Sequence, residues 1–390
     1  MEQFQEIDRY HTNSVKWDTI EQTYREKDLL PLWVADMDFK AHQPILDAMG
    51  QVLKQGVLGY TIESPELVRS VINWQQVQHQ VKLDPESILF SSGVIPSLAI
   101  AIQAFTEEND QILIFDPVYP PFADMIKRNG RQVVRNSLKV AERFEIDFAS
   151  LEQQLQEGVK AVILCNPHNP GGRVWTRSEL QQLAQLCAQY NVLVISDEIH
   201  GDLVFAPHTF TSFYSLEEFR QHAIVLTSAT KTFNLAGIKN SMIFIDNPQL
   251  RQRFADVQAR NRQNEINTFG QVGTQAAYET GADWLKDLLA YLEDNVNFVC
   301  DFFAENLPEV VVMKPEGTYL IWLDFSAYGL SDQALQRHLI REAKVVLNPG
   351  NSFGPGGTGH MRLNIACTKA TLAEGLTRIQ RAFAELPVQK

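Results

Sequence analysis

Cysteine is scarce and scattered: Cys165, Cys187, Cys300 and Cys367 form no Cys-x-x-Cys pair. That excludes the common zinc and dithiol motifs, and since each lies in apolar sequence they read as buried free thiols, with no metal site expected. No unbroken apolar stretch approaches the length of a membrane span. The start, Met1 to Tyr10, is polar and acidic without the apolar core of a secretory signal, so the expected location is the cytoplasm, with no membrane partner. Basic charge is also short. Lys and Arg total 34 against 47 Asp and Glu, a formal net charge of -13, which has the wrong sign for nucleic acid or anionic lipid. Low-complexity sequence and internal repeats are absent, and the Gly350 to Gly359 stretch is too short for an interdomain linker. It reads as a loop feeding the strand that carries Arg362.

What is present is a long chain, 390 residues with 45% hydrophobic content, enough for a large core and two or three domains. Short β-branched runs recur at Gln111 to Phe115, Ala161 to Cys165, Val192 to Ser196, Ile224 to Thr227 and Met242 to Ile245. Helical patterns separate several of them. The clearest spans Ser178 to Tyr190, with Thr176 and Glu179 spaced as a capping box and Leu180, Leu183, Leu186 and Cys187 on one face. Such alternation predicts an α/β sheet. After a long helical stretch around Trp284 to Phe303, strand-like Thr318 to Phe325, Val345 to Leu347 and His360 to Ala366 alternate with helices around Asp332 to Ala343 and Leu372 to Leu386. That pattern predicts a smaller α+β domain.

Ser228-Ala229-Thr230-Lys231 follows the run Ile224 to Thr227, which places Lys231 at the carboxyl end of a sheet strand, where open α/β sheets bind ligands. A lysine with its usual pKa near 10.4 is neutral in about one molecule per few thousand at pH 7. Chemistry there needs a lowered pKa or a Schiff base; on its own, Lys231 reads as a solvated surface charge. Asp197 ends the run before it, where a carboxylate can keep the ring nitrogen of pyridoxal 5'-phosphate (PLP) protonated and make the ring an electron sink, or can cap the next segment. In Asn166-Pro167-His168-Asn169-Pro170-Gly171-Gly172 the prolines fix the chain, and Asn169 can offer its amide to the ring's phenolic oxygen; a rigid turn is the other reading. Ser91-Ser92-Gly93-Val94-Ile95-Pro96 opens an apolar helix over Ser97 to Phe105, whose N-terminal N–H groups suit a phosphate. Asp116-Pro117-Val118-Tyr119 can hold the Tyr119 ring against a flat cofactor or simply pack it in a bend. Arg362 can grip a substrate α-carboxylate bidentately, as lysine cannot, or form an interdomain salt bridge.

These pieces, in this order and over nearly the whole chain, resemble fold-type I PLP enzymes of the class I/II aminotransferase superfamily. Within it the sequence is similar to the MalY/PatB family of cystathionine β-lyases, in Leu30-Pro31-Leu32-Trp33-Val34-Ala35-Asp36-Met37-Asp38-Phe39, Ser196-Asp197-Glu198-Ile199-His200, Pro315-Glu316-Gly317-Thr318-Tyr319-Leu320 and Arg362-Leu363-Asn364. The resemblance implies that Lys231 carries PLP, Asp197 pairs with the pyridine nitrogen, Tyr119 stacks on the ring, Asn169 faces the phenolic oxygen and Arg362 binds the substrate carboxylate. It puts Gly93, Val94, Ser228 and Thr230 near the phosphate. Tyr60 matches the tyrosine that reaches the neighbouring subunit's phosphate, which implies a homodimer with shared sites. His200 stands where the lyase family typically has histidine and many aminotransferases have tyrosine. Lys239 stands where many aminotransferases place a phosphate-binding arginine. Ser92, Ala229-Thr230 and Gly171 depart from the family pattern and bear on substrate range, not on cofactor binding.

The implied fold is a large domain over residues 48–285, with a mostly parallel central sheet flanked by helices, and a smaller α+β domain built from 1–47 and 286–390. The implied reaction is β-elimination from an amino acid bearing sulfur at Cβ, with Lys231 as base, yielding a thiol, pyruvate and ammonia from L-cystathionine or a related S-conjugate. Transamination shares the proton removal and is distinguished by its need for a 2-oxo acid. A regulatory or binding protein on the same fold is a third reading, which the complete set of catalytic-type residues opposes.

Overall fold

The computed structural model describes residues 4, 5 and 7–388. Of the polar stretch Met1 to Tyr10, residues 1–3 and 6 therefore lie outside the described residues. The central sheet has seven strands: β1 (Ile88–Ser91), β2 (Gln111–Asp116), β3 (Gln132–Ser137), β4 (Ala161–Cys165), β5 (Leu193–Asp197), β6 (Ala223–Thr227) and β7 (Ser241–Phe244), in the order β1-β7-β6-β5-β4-β2-β3. Strands β2 to β6 pair in parallel with their neighbours. β7 runs antiparallel to both β6 and β1, so the sheet is mixed, with one reversed strand.

The inner strands are apolar along their middles because both of their faces are covered, with polar residues confined to their ends. Ile112, Ile114, Ile163, Ile195, Ile224 and Ile243 join one core, and the alternate residues Leu113, Phe115, Val162, Val194, Val225 and Met242 join another. The helices include α1 (Gln43–Gln55), α2 (Pro65–His79), α3 (Val94–Phe105), α4 (Arg177–Gln189), α5 (Pro248–Asn261), α6 (Thr268–Thr280) and α7 (Ala282–Asn306). α3 and α4 pack directly on the sheet, α5 packs on α3, α6 packs on α1 and α2, and α7 packs against Val311–Met313 outside it. α4 starts as its sequence predicts, with Thr176 and Glu179 completing a reciprocal capping box. The sequence-based divisions at 47/48 and 285/286 fall inside α1 and α7.

A second, antiparallel sheet holds β8 (Val311–Met313), β9 (Leu320–Asp324), β10 (Asn348–Pro349) and β11 (His360–Asn364) in the order β8-β9-β11-β10. The strand expected from Thr318 starts at Leu320 instead, because Thr318 has a φ of 69°, in the left-handed region. Leu30–Pro31 pairs in parallel with Val345–Val346, which ties the N-terminal segment to the C-terminal part. Among the described residues no helix is long and apolar enough to cross a membrane.

Candidate active site

Since β7 alone is reversed, the C-terminal ends of β1, β2, β4, β5 and β6 and the N-terminal end of β7 share one edge of the central sheet. A cavity of about 670 Å3 lies there. Its wall takes Gly93 and Val94 from the turn after β1, Tyr119 after β2, Asn169 after β4, Asp197 and His200 from β5 and its turn, and Thr230 and Lys231 after β6. Lys239, just before β7, and Arg362, on β11, complete the predicted set. Two predicted residues do not line this cavity. Ser228 lies buried behind the wall, where its Oγ accepts the Thr230 N–H at 3.1 Å and donates to Asn240 O at 2.8 Å. Tyr60 is fully exposed, beside exposed Val57, Leu58 and Ile62, and does not line this chain's cavity.

Local chemistry sets each position. Gly93 has a φ of 148° and caps α3 without a side-chain hydrogen bond, a conformation that favours glycine. It leaves the N–H groups of Val94 and Ile95 at the cavity without helix partners. Lys231 belongs to a single helical turn, Ala229–Thr232, capped by Ser228. Its Nζ donates to Ala35 O at 2.7 Å. Burial and the nearby Arg362 charge bring this amine down to about 8, while Asp36 and Asp197 pull the other way.

Asp197 is buried, its Oδ1 accepting the Ile199 N–H at 3.1 Å, so the capping that its sequence position allows is present. Burial pushes its carboxyl up to about 7, against the pull of that hydrogen bond and of Lys231. Arg362 donates from Nη1 to Asn169 Oδ1 at 2.9 Å and from Nη2 to Trp33 O at 3.0 Å and to Asn348 Oδ1. Its guanidinium stacks over Phe353 at 4.9 Å, and its buried Nε has no hydrogen-bond partner among the described residues. Burial lowers it to about 10. The buried His200 ring leaves Nδ1 without a partner among the described residues, and burial, with the Lys231 and Arg362 charges, drives its pKa well below the usual imidazole value. It is therefore neutral. Burial also raises the Tyr119 phenol.

The residues fit a flat, phosphorylated pyridine aldehyde. Asp197 is a buried carboxylate that lacks an ion pair among the described residues, and a protonated ring nitrogen would supply the missing cation. The open N-terminus of α3 and the cation of Lys239 suit a phosphate, and Lys231 offers an amine with a lowered pKa. The unpartnered Arg362 Nε leaves a donor for a second anion, the substrate carboxylate. Fold and site together define the fold-type I class of PLP-dependent proteins.

Comparison with known proteins narrows the class. The family profile "Aminotransferase class I and II" matches residues 27–379. Cystathionine beta-lyase PatB of Bacillus subtilis is 44% identical over 97% of this chain and 98% of its own. Protein MalY of Escherichia coli is 32% identical over 97% of each. The structure of cystalysin from Treponema denticola, which contains a pyridoxal 5'-phosphate cofactor, superposes with a TM-score of 0.96 at 33% identity, over 99% of each chain. The chain belongs to the MalY/PatB family of the class I and II aminotransferase superfamily.

Several cavity residues carry no role in the sequence reading: Arg9, Ser14 and Val15 from the N-terminal segment, Val34, Ala35 and Asp36 from the stretch after β-paired Leu30–Pro31, and Cys165 and Asn240. One signal was available. Asp36 and Asp38 sit inside an apolar run, and acids there need partners. Those partners, Arg9 and Lys16, are too distant in sequence to be paired with them by spacing.

Proposed function

We propose that this chain is a PLP-dependent carbon–sulfur β-lyase that cleaves L-cystathionine or related cysteine S-conjugates to a thiol, pyruvate and ammonia. The observation that carries this reading is the meeting of Lys231 Nζ and the buried Asp197 carboxylate on one cavity, in a chain of the lyase family. PLP, when bound, supplies an electron sink for the pair left on the substrate Cα.

The chain's own groups do the rest. With PLP bound, Asp197 would keep the ring nitrogen protonated, and Asn169 and neutral His200 would face the phenolic oxygen. The Val94 and Ile95 N–H groups, Thr230 and Lys239 would hold the phosphate, with Ser228 fixing Thr230. Arg362 takes the α-carboxylate through Nε and an Nη, turning the Cα–H toward Lys231. A lysine near 8 is neutral in about one molecule in ten at pH 7, so it can accept the Cα proton without an auxiliary base. As the Cα electrons shift, the Cβ–S bond breaks and the sulfur leaves as thiolate. The unsaturated amine left behind hydrolyses, once released, to pyruvate and ammonia.

The same reading assigns residues 48–285 to a cofactor-binding domain and 1–47 with 286–390 to a small domain in the cytoplasmic enzyme. It makes the exposed Val57–Ile62 arm the contact by which a homodimer brings Tyr60 to the neighbouring cavity; sedimentation at twice the chain mass, lost on Leu58→Asp, is the expected result. The lyase activity is tested with PLP-loaded protein, L-cystathionine and no 2-oxo acid, with Lys231→Ala as control. Joint release of pyruvate and thiol, absent in the control, supports it. Amino-group transfer that needs a 2-oxo acid, with no thiol released, replaces it with an aminotransferase.

A further inference from the structure

One charged pair on the cavity has no part in the reaction above. Arg9 and Asp36 both line it and are joined by Nη2–Oδ2 at 2.7 Å and Nη1–Oδ1 at 2.9 Å. Each side chain stays about a fifth exposed, 22% and 20%. Asp36 is carried on a firmly held segment. Trp33 O accepts from Arg362, Val34 O and Asp36 O accept from Asn364 Nδ2, and Ala35 O accepts from both Lys231 Nζ and Tyr319 OH. Along that segment the chain from the Arg362 contact at Trp33 to Asp36 spans at most about 10 Å. The pair is therefore held at a set, short distance from the groups that would bind the substrate's α-carboxylate and Cα.

The charges behind the pair make it electrically balanced. Asp38 takes Arg9 Nη1 at 2.7 Å and the buried Lys16 Nζ at 2.7 Å, and Lys16 lies 3.7 Å from Asp36. Two cations face two carboxylates. A ligand tail with a single charge meets one attraction and one repulsion there. A zwitterion laid antiparallel on the pair meets two attractions. A carboxylate has about four acceptor sites and a guanidinium five donors. The Arg9 Nη groups are engaged by Asp36, Asp38, Met37 O and Ser14 Oγ, so a ligand carboxylate would take Nε and a ligand ammonium the remaining Asp36 lone pairs, without separating the pair.

We infer that Arg9 and Asp36 form a distal subsite for a second α-amino-acid head group, its ammonium beside Asp36 and its carboxylate beside Arg9. The inference rests on the lyase reading and deepens it: the preferred thioethers are those, like L-cystathionine, that end in a zwitterion. The competing role for the pair is purely structural, anchoring residues 9–18 over the cavity.

The test uses the full-length, PLP-loaded protein and four thioethers: L-cystathionine, S-(3-carboxypropyl)-L-cysteine without the distal ammonium, S-(3-aminopropyl)-L-cysteine without the distal carboxylate, and S-butyl-L-cysteine without both. Dissociation constants from cofactor absorbance and kcat/KM from thiol release are measured for each. The native protein is expected to favour L-cystathionine about tenfold over the other three, the sum of two partly exposed ion pairs. Asp36→Asn and Arg9→Met are expected to bring the four toward parity. Equal binding of S-butyl-L-cysteine and L-cystathionine by the native protein overturns the subsite, and so does a proportional loss for all four in the variants. If no thioether releases thiol, the lyase reading fails, while the ratio of dissociation constants still decides the subsite.

Discussion

Two buried arginines in this chain have opposite surroundings. Arg173, 2% exposed, lies between carboxylates: Nη2 reaches both Glu179 oxygens at 2.7 Å, Nη1 reaches Glu316 Oε2 at 2.7 Å, and Nε donates to Phe144 O at 3.1 Å. Arg362, 4% exposed, has amide and backbone oxygens, an aromatic face and, among the described residues, no Nε partner and no carboxylate. The acids divide the same way. Glu316 is held below the usual carboxylate range, burial being outweighed by the Val174 N–H, Arg173 and Arg143, whereas unpaired Asp197 is pushed up to about 7. Removing a charge from water is costly unless the chain neutralises it. Where the chain does so, the group joins segments together. Where it does not, a counter-charge is left for a ligand to supply, and among the described residues Asp197, Lys231 and Arg362, all on the same cavity, have no ion pair.

The comparison can be broken at its strongest point first. Lys231→Ala is expected to lower thiol release from L-cystathionine by about a thousandfold or more, the scale of a lost general base, with the variant's circular dichroism unchanged. Next comes the arginine pair itself. Arg362→Met is expected to lower kcat/KM by about a hundredfold or more, from loss of the carboxylate contact, without lowering the urea midpoint. Arg173→Met leaves Glu316 and Glu179 without their main cation and is expected to destabilise the fold by about 3 kcal/mol. If the two variants exchange these phenotypes, the distinction between paired and unpaired arginine fails.

A pH series sharpens the acid half of the comparison. In the cofactor-free protein Asp197 titrates near 7 against an ordinary 3.8, so the native state binds more protons than the unfolded state between those values. Stability is then expected to fall as pH rises from about 4 through about 7. Asp197→Asn should flatten that slope, and so should PLP in the native protein, since the ring N–H supplies the counter-charge. Glu198, also pushed up to about 7 by burial, contributes the same slope in both proteins and cancels in the difference. Urea midpoints at several pH values give the measurement. The smallest effect concerns the paired cluster: Thr176→Ala removes half of the capping box that Glu179 shares with Arg173, and a loss of about 1 kcal/mol is expected.

How much of this was legible in the sequence follows the range of the interactions. The run Ala161 to Cys165 matches β4 because a strand buried on both faces is apolar at every position. β3 escapes notice because it is an edge strand, Gln132–Ser137, with polar residues at both ends. Lys231, Asp197, Asn169 and Gly93 were legible because each follows a strand run closely and all such ends meet at one edge. Arg9 and Asp36 were not, since their meeting depends on the path of the N-terminal segment, set by tertiary contacts such as Leu30 with Val345 and Lys16 with Asp38. Tyr60 was named through family resemblance; in this chain it is exposed and away from the cavity, so its proposed role depends on the proposed homodimer.

The claim that Lys231 carries the cofactor is tested most directly by reducing the PLP-loaded protein with borohydride, digesting it and locating the pyridoxyl group by mass spectrometry. The account predicts a single labelled peptide with the modification on Lys231. Label on Lys239 or on another lysine, with Lys231 unmodified, would contradict it.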